Sequence, residues 1–248
     1  MTKACHILLL LFLVAGATTL ANCQQVLQCS VPSARQGADD DFVRPRSAKE
    51  AARLKQAPHG AKRLGTHAIE VGWARGKRIL KDKPPYNEPL DGVRWTYCGY
   101  NADLKLHMLL KEDEALFTGA LVDDVTGALL PGGQKVLFSK NAEYYLAYEQ
   151  PDGQDGETIK LYRRNGTLLW KGYNGFLSAD GKDVLANFED MHWDEQGNLE
   201  AVAAPDKGKK QTVKLTRLSS GKWEWLPHLQ VTDFCAPSLH TQFRLAGA

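Results

Sequence analysis

The seven residues Glu189-Asp190-Met191-His192-Trp193-Asp194-Glu195 form the densest cluster of carboxylates and imidazole in this chain. Carboxylate oxygens and an imidazole nitrogen can share one divalent ion, so a metal site is the first chemistry to weigh. The cluster falls where a strand would run into a turn, and a solvated hairpin is the stronger reading. The loop Asp152-Gly153-Gln154-Asp155-Gly156-Glu157 raises the same question for calcium. It lacks the EF-hand spacing and any flanking helices, so it reads as a polar hairpin loop. No cofactor and no metal are expected. G-x-S-x-G, H-E-x-x-H, the P-loop and a helix-opening G-x-G-x-x-G are all missing from the sequence. An enzyme built from scattered carboxylates would leave no short motif, but binding without catalysis is the leading expectation.

Cysteines stand at 5, 23, 29, 98 and 235, and no spacing among them makes a zinc pattern. Disulfides are the better expectation in an oxidising compartment. Cys98 and Cys235 bracket the stretch that looks most like folded β-structure. Bridging them would tie its first strand to its last and stabilise it by roughly 5 kcal/mol in the chain-entropy model. Cys29 would stay unpaired if Cys23 carries lipid, or would pair with Cys23 across a short loop if it does not.

The reason to consider lipid is the beginning of the chain. One basic residue, Lys3, precedes an apolar run from Ile7 to Val14, and small residues follow. The run is too short to span a bilayer and fits the core of a secretory signal over residues 1–21. Ala15-Gly16-Ala17 and Thr19-Leu20-Ala21 both suit cleavage. Leu20-Ala21-Asn22-Cys23 resembles the bacterial lipoprotein box, in which the cysteine becomes the lipidated first residue; Asn22 departs from the small residue usual there. Lipidation of Cys23 would place the protein in the periplasm, held to the outer membrane. Without it the protein would be simply secreted.

Charge is uneven along the chain. Residues 44–83 hold twelve Lys or Arg against three acids, and residues 84–248 hold seventeen against twenty-three. A basic stretch ahead of an acidic body suits either attraction to anionic lipid or an acidic partner, or an arm resting on its own body. Nucleic acid is not an expected partner, since the chain is exported and carries no nucleic-acid-binding motif.

These residues need elements to position them. Residues 22–65 are poor in large apolar side chains and read as a flexible tether, with one short helix at about 47–57. Ser47-Ala48-Lys49-Glu50 has the capping-box spacing, and Pro58 with Gly60 stops the helix. From 66 to 248 the chain reads as a single antiparallel all-β domain. Ile69, Val71 and Trp73 alternate, as do Leu104, Leu106, Met108 and Leu110, then Tyr144, Leu146 and Tyr148, then Val213 and Leu215, each run implying one buried face. Asn165-Gly166, Gly197-Asn198 and Ser219-Ser220-Gly221 supply hairpin turns. About nine to eleven short strands follow from this spacing, arranged as a sandwich or partly closed barrel, or as a small propeller-like fold. The propeller alternative rests on a faint repeat. Ser139-Lys140-Asn141 before Tyr145-Leu146-Ala147 is echoed by Ser178-Ala179-Asp180-Gly181 before Val184-Leu185-Ala186, and the copies end in Leu168-Leu169-Trp170 and Trp223-Glu224-Trp225.

The stretch from Leu130-Pro131-Gly132-Gly133-Gln134 to Tyr162 resembles the bulb-type lectins, whose sugar site reads Q-x-D-x-N-x-V-x-Y. Gln150 and Asp152 match it; residues 154–158 interrupt the spacing and no Asn stands where the motif requires one. The resemblance implies carbohydrate or envelope-polymer binding. The chain's aromatic residues suit either sugar stacking or a protein interface. The leading expectation is neutralisation of a protein partner by steric occlusion, as an immunity protein or a hydrolase inhibitor works. Acidic loops at Glu112, Asp113 and Glu114, at Asp123 and Asp124, and at Glu189, Asp190, Asp194 and Glu195 would cover a basic cleft. A structural envelope lipoprotein is the further alternative.

Overall fold

A computed structural model describes residues 25–29, 48–86, 92–113, 116–150, 157–174, 186–205 and 209–227. Cys23, Glu114, Asp152 and Cys235 lie outside them, as do the signal segment and residues 178–185 of the second repeat copy.

The protein is all-β with one helix, in four antiparallel sheets, none of them closed. Strands β2 (Ala61–Arg63), β3 (Ala68–Trp73) and β4 (Gly76–Lys81) form the first sheet, joined by tight turns. The second is β5 (Val93–Asn101), β6 (Leu106–Asp113), β7 (Leu116–Asp123) and β8 (Leu129–Gly132). The third holds β9 (Lys135–Phe138), β10 (Tyr144–Glu149), β11 (Glu157–Arg163) and β12 (Leu168–Asn174); the fourth holds β13 (Ala186–Trp193), β14 (Leu199–Pro205), β15 (Gln211–Arg217) and β16 (Trp223–Leu226). Each sheet is a meander in chain order. The exception is β1 (Val26–Gln28), which reaches forward to pair with β9, Val26 opposite Leu137. The one helix among the described residues, α1 (Ala48–Gln56), packs on β5.

Three hydrophobic layers separate the four sheets. Ile69, Val71 and Leu80 of the first sheet meet Tyr97, Leu109 and Val122 of the second, with Leu54 of α1 packed alongside. The opposite face of the second sheet, with Leu106, Met108, Leu110 and Leu121, meets Val136, Phe138, Tyr145 and Ala147 of the third. Leu137, Leu146, Ile159 and Leu161 then meet Leu199, Ala201, Val213 and Leu215 of the fourth. The middle sheets are therefore buried on both faces. Leu106 to Leu110 are all buried, where alternation had suggested one wet face. This face-to-face succession of meanders is blade-like, and Trp170 and Trp225, which close the two sequence repeats, both sit on the last strand of their sheets.

Turn chemistry behaves as its residues require. Gly166, Gly197 and Gly221 take φ of 86°, 81° and 85° in the β11–β12, β13–β14 and β15–β16 turns. Sixteen strands form among the described residues, against the nine to eleven expected; ahead of Val93, β1, β2 and β4 arise where only the Ile69–Trp73 run had signalled a strand.

Two expectations need correcting. Cys98 is bonded to Cys29 and so cannot pair with Cys235. The reason is β1: its pairing with β9 carries Cys29 into the layer between the second and third sheets, where Cys98 also lies. The expected tether over 22–65 contains β1, α1 and β2, all built into the body. Glu50 is the cause at the helix. It is 2% exposed, and its carboxylate accepts from the Tyr97 amide at 2.8 Å and from Arg63 Nη2 at 2.8 Å.

Candidate functional site

The acidic residues expected to form one partner surface divide by role. Asp123 Oδ1 accepts the amides of Val125 and Thr126 at 3.1 and 2.8 Å and the Thr126 hydroxyl at 2.9 Å, so it builds the β7–β8 turn. Burial pushes its carboxyl up, but the Thr126 and Val125 donors and Arg164 outweigh that and leave it lowered. Asp194 has the same task in the β13–β14 turn. It accepts from the amides of Gln196 and Asn198 at 3.0 and 2.8 Å and from Lys214 Nζ at 2.9 Å. Asp124 is 6% exposed and cannot line an open surface. Glu112 and Asp113 end β6, where Asp113 pairs with Lys111. Glu189, Asp190 and Glu195 are exposed.

Glu189 and Asp190 owe their exposure to an irregularity in β13. The register against β14 shifts between Glu189 and His192, and Asp190 adopts a φ of 49°. A bulge of this kind re-aims side chains on an edge strand. Glu189 meets Lys210 at 2.6 Å, and His192 Nδ1 lies 2.7 Å from the Asp190 carbonyl. Among the described residues, no three His, Cys, Asp or Glu side chains converge as metal ligands would. Gln150, which matches the lectin motif, accepts from Gln134 Nε2 at 3.0 Å.

Beside the bulge lies an aromatic cluster at the rim of the third and fourth sheets. Phe188 stacks on Trp225 at 4.6 Å, Trp225 meets Trp170 edge-on at 6.0 Å, and Tyr144 meets Trp223 at 5.9 Å. All five rings are partly exposed and pack against the third hydrophobic layer. The small side chains of Ala201 and Ala203 leave room above β14 for rings from both edges of the fourth sheet. Gly172 has a related use: a Cβ there would stand 2.2 Å from the Trp170 ring, so its absence lets the indole lie along the edge strand β12.

A second polar constellation sits between the first two sheets and was not foreseen. Tyr97 Oη lies 2.9 Å from His107 Nδ1, His107 Nε2 lies 3.4 Å from Asp124 Oδ1, and Tyr100 donates to Asp124 Oδ2 at 3.0 Å. His59 adds Nε2 at 3.6 Å from Asp124 Oδ1. Tyr97 and Tyr100 are three apart and would face opposite ways on a regular strand. The bulge at Cys98, between the pairs Tyr97–Leu109 and Gly99–Met108, puts both on the side of His107. The signal available in the sequence was a lone histidine inside the apolar run Leu104–Leu110.

Tyr97 and His107 are both 0% exposed, so no substrate can reach them, and the network pins one sheet to the next. A neutral imidazole with its hydrogen on Nε2 satisfies both contacts: it accepts from Tyr97 and donates to Asp124. Burial lowers the His107 pKa, outweighing the hydrogen bond that His107 donates to Asp124. The unfolded chain takes up this proton near the ordinary value of about 6.5, whereas the fold defers it to lower pH. Stability from the neutral ring is thus complete above that value and declines as pH falls below it. Urea unfolding midpoints should drop between about pH 7 and pH 5 in the parent. A His107→Gln variant, though less stable throughout, should lose most of that slope; an unchanged slope would assign it to other groups.

No protein-family profile, curated protein or solved structure matches this chain. Its placement rests on chemistry alone. The buried disulfide fits an oxidising, exported compartment, and no helix among the described residues is long and apolar enough to cross a membrane.

Proposed function

We propose that this chain is an exported, lipid-anchored envelope protein that neutralises a protein partner by steric occlusion. The contact surface in this reading is the bulged edge of the fourth sheet. The observation that carries it is the exposure of Glu189 and Asp190 at the bulge of edge strand β13, the strand that also carries the partly exposed Phe188 ring stacked on Trp225. Aromatic anchors supply most of the energy of protein interfaces, while rim charges steer the encounter and set its salt dependence. Acidic residues there suit a basic cleft on the partner. The export signal and the disulfide support the compartment, and the lipobox-like Leu20-Ala21-Asn22-Cys23 supports the anchor. An antibacterial effector or a wall hydrolase is the class of partner.

The test is a charge-neutralised pair, Glu189→Gln with Asp190→Asn. Asn tolerates the positive φ at 190, so the bulge should survive. Crosslinking capture from the source envelope should recover one stoichiometric partner with the parent protein. The paired variant should bind it about ten- to a hundredfold more weakly, with slower association and reduced salt dependence. Equal binding by both proteins would remove this surface from the reading. A saturable glycan-array signal abolished by Trp170→Ala would replace the protein partner with an envelope polysaccharide, for which the exposed rings are the specific support.

A further inference from the structure

Gln25 immediately precedes β1 and is fixed by backbone pairing. Its carbonyl accepts from the Phe138 amide at 3.0 Å, which sets it at the β9–β10 turn. That turn is tied to the β11–β12 turn by the Arg164 amide on the Glu143 carbonyl at 2.8 Å. Arg164 Nη2 reaches the Leu104 carbonyl in the β5–β6 turn at 2.7 Å. The Asp124 amide then bonds the Lys105 carbonyl at 3.0 Å, and the Ala74 amide bonds the Asp124 carbonyl at 2.9 Å. Five turns from three sheets therefore share one end of the stack with Gln25.

This end concentrates the chain's exposed apolar side chains. Of the six large exposed hydrophobics among the described residues, Val26, Val125, Leu129 and Leu168 lie here, at 45, 46, 44 and 50% exposure. Arg75, Lys105, Lys140, Arg163 and Arg164 belong to the turns at this end, against Asp103, Asp123 and Glu143. The Glu112-Asp113 end of the β6–β7 hairpin lies at the far end of the second sheet, since β6 runs away from the Lys105 turn.

Cys23 is two residues before Gln25. Even fully extended, the chain between their Cα atoms covers only about 7 Å. The disulfide from Cys29 to Cys98 and the pairing of β1 with β9 prevent that strand from serving as slack. We infer that this end of the stack is a membrane-seating surface, laid directly on an anionic bilayer by the lipid on Cys23. Val125, Leu129 and Leu168 enter the headgroup boundary, and Arg75, Lys105, Lys140 and Arg163 meet lipid phosphates. One lipid group together with an apolar and basic patch is the two-signal arrangement that makes anchoring stable. The inference rests on the proposed anchor and adds an orientation to it: the Glu112-Asp113 end of the second sheet is directed away from the bilayer.

The experiment compares the full lipidated chain in phosphatidylethanolamine–phosphatidylglycerol vesicles with the Cys23→Ser chain in solution. Amide exchange at 102–105, 124–129 and 164–168 should slow about tenfold or more on the vesicles, while 77–81, around the equally exposed Ile79, stays unchanged. Leu129→Glu with Leu168→Glu should stay anchored through its lipid and lose that protection. If the Cys23→Ser chain remains in the membrane fraction of cells, the anchor itself is wrong and the seating goes with it. If the parent is anchored but exchanges at those turns as fast as the soluble chain, the seating alone is overturned.

Discussion

Glu50→Ala is expected to destabilise the fold by about 3–5 kcal/mol, the cost of removing one partner from a buried ion pair. Glu50 and Asp82 together cover an open edge. β5 is the first strand of the second sheet, and its outward groups would otherwise face the first sheet unpaired. The Lys83 backbone bonds Val93 in both directions, at 2.8 and 3.0 Å. Beyond that point side chains take over. Asp82 Oδ1 accepts the Trp95 amide at 2.8 Å, Arg63 Nη2 donates to the Trp95 carbonyl at 2.7 Å, and Glu50 Oε1 accepts the Tyr97 amide at 2.8 Å. Removing Glu50 strands the buried Tyr97 amide and takes from the mostly buried Arg63 its nearest carboxylate, and it unpins α1 from β5. Glu50→Gln keeps an acceptor for Tyr97 and should cost visibly less. Urea unfolding of the two variants checks this, and equal losses would mean that charge, and not the hydrogen bond to Tyr97, dominates.

Loss of the Cys29–Cys98 bond is the second large effect. The two cysteines are 69 residues apart, and closing a loop of that size stabilises by about 4 kcal/mol in the chain-entropy account. A Cys29→Ser, Cys98→Ser chain should unfold at correspondingly lower urea. The loss should also be local, because β1 is only three residues long and has little else to hold it on β9. Hydrogen exchange at Leu27 and Leu137 should rise in the double variant before the β10–β11 pair opens. A uniform rise would show instead that the bond supports the whole layer between the second and third sheets. Where Cys23 carries lipid, freeing β1 would also turn a short attachment into a long one, and the turn-end protection on vesicles should fall with it.

Particular residues show where sequence reading succeeds. Ala48–Gln56 forms a helix within one residue of the expected 47–57, because the stop signals Pro58 and Gly60 act locally. The three hairpins at Asn165-Gly166, Gly197-Asn198 and Ser219–Gly221 form where turn chemistry places them. Reading failed where the answer depended on residues far away. Nothing near Val26 announces a strand, since its partner Leu137 lies more than a hundred residues on. Nothing near Asp124 distinguishes it from Asp123, yet one is buried against His107 and the other caps a turn. The carboxylates read together as one binding surface were alike in composition only.

Local pattern on its own settled the class of fold and its punctuation. Period-two alternation and glycine-bearing turns are local signals whose physics acts over a few residues. Tertiary structure alone decided the pairing of Cys98, the burial of His107, the docking of β1 and the gathering of Val125, Leu129 and Leu168 at one end. Each of these follows from sheets stacked face to face, which buries both sides of the middle sheets and brings separate turns to a common pole. Alternation along a strand reports its two faces, but the neighbour that covers each face is chosen by the rest of the chain.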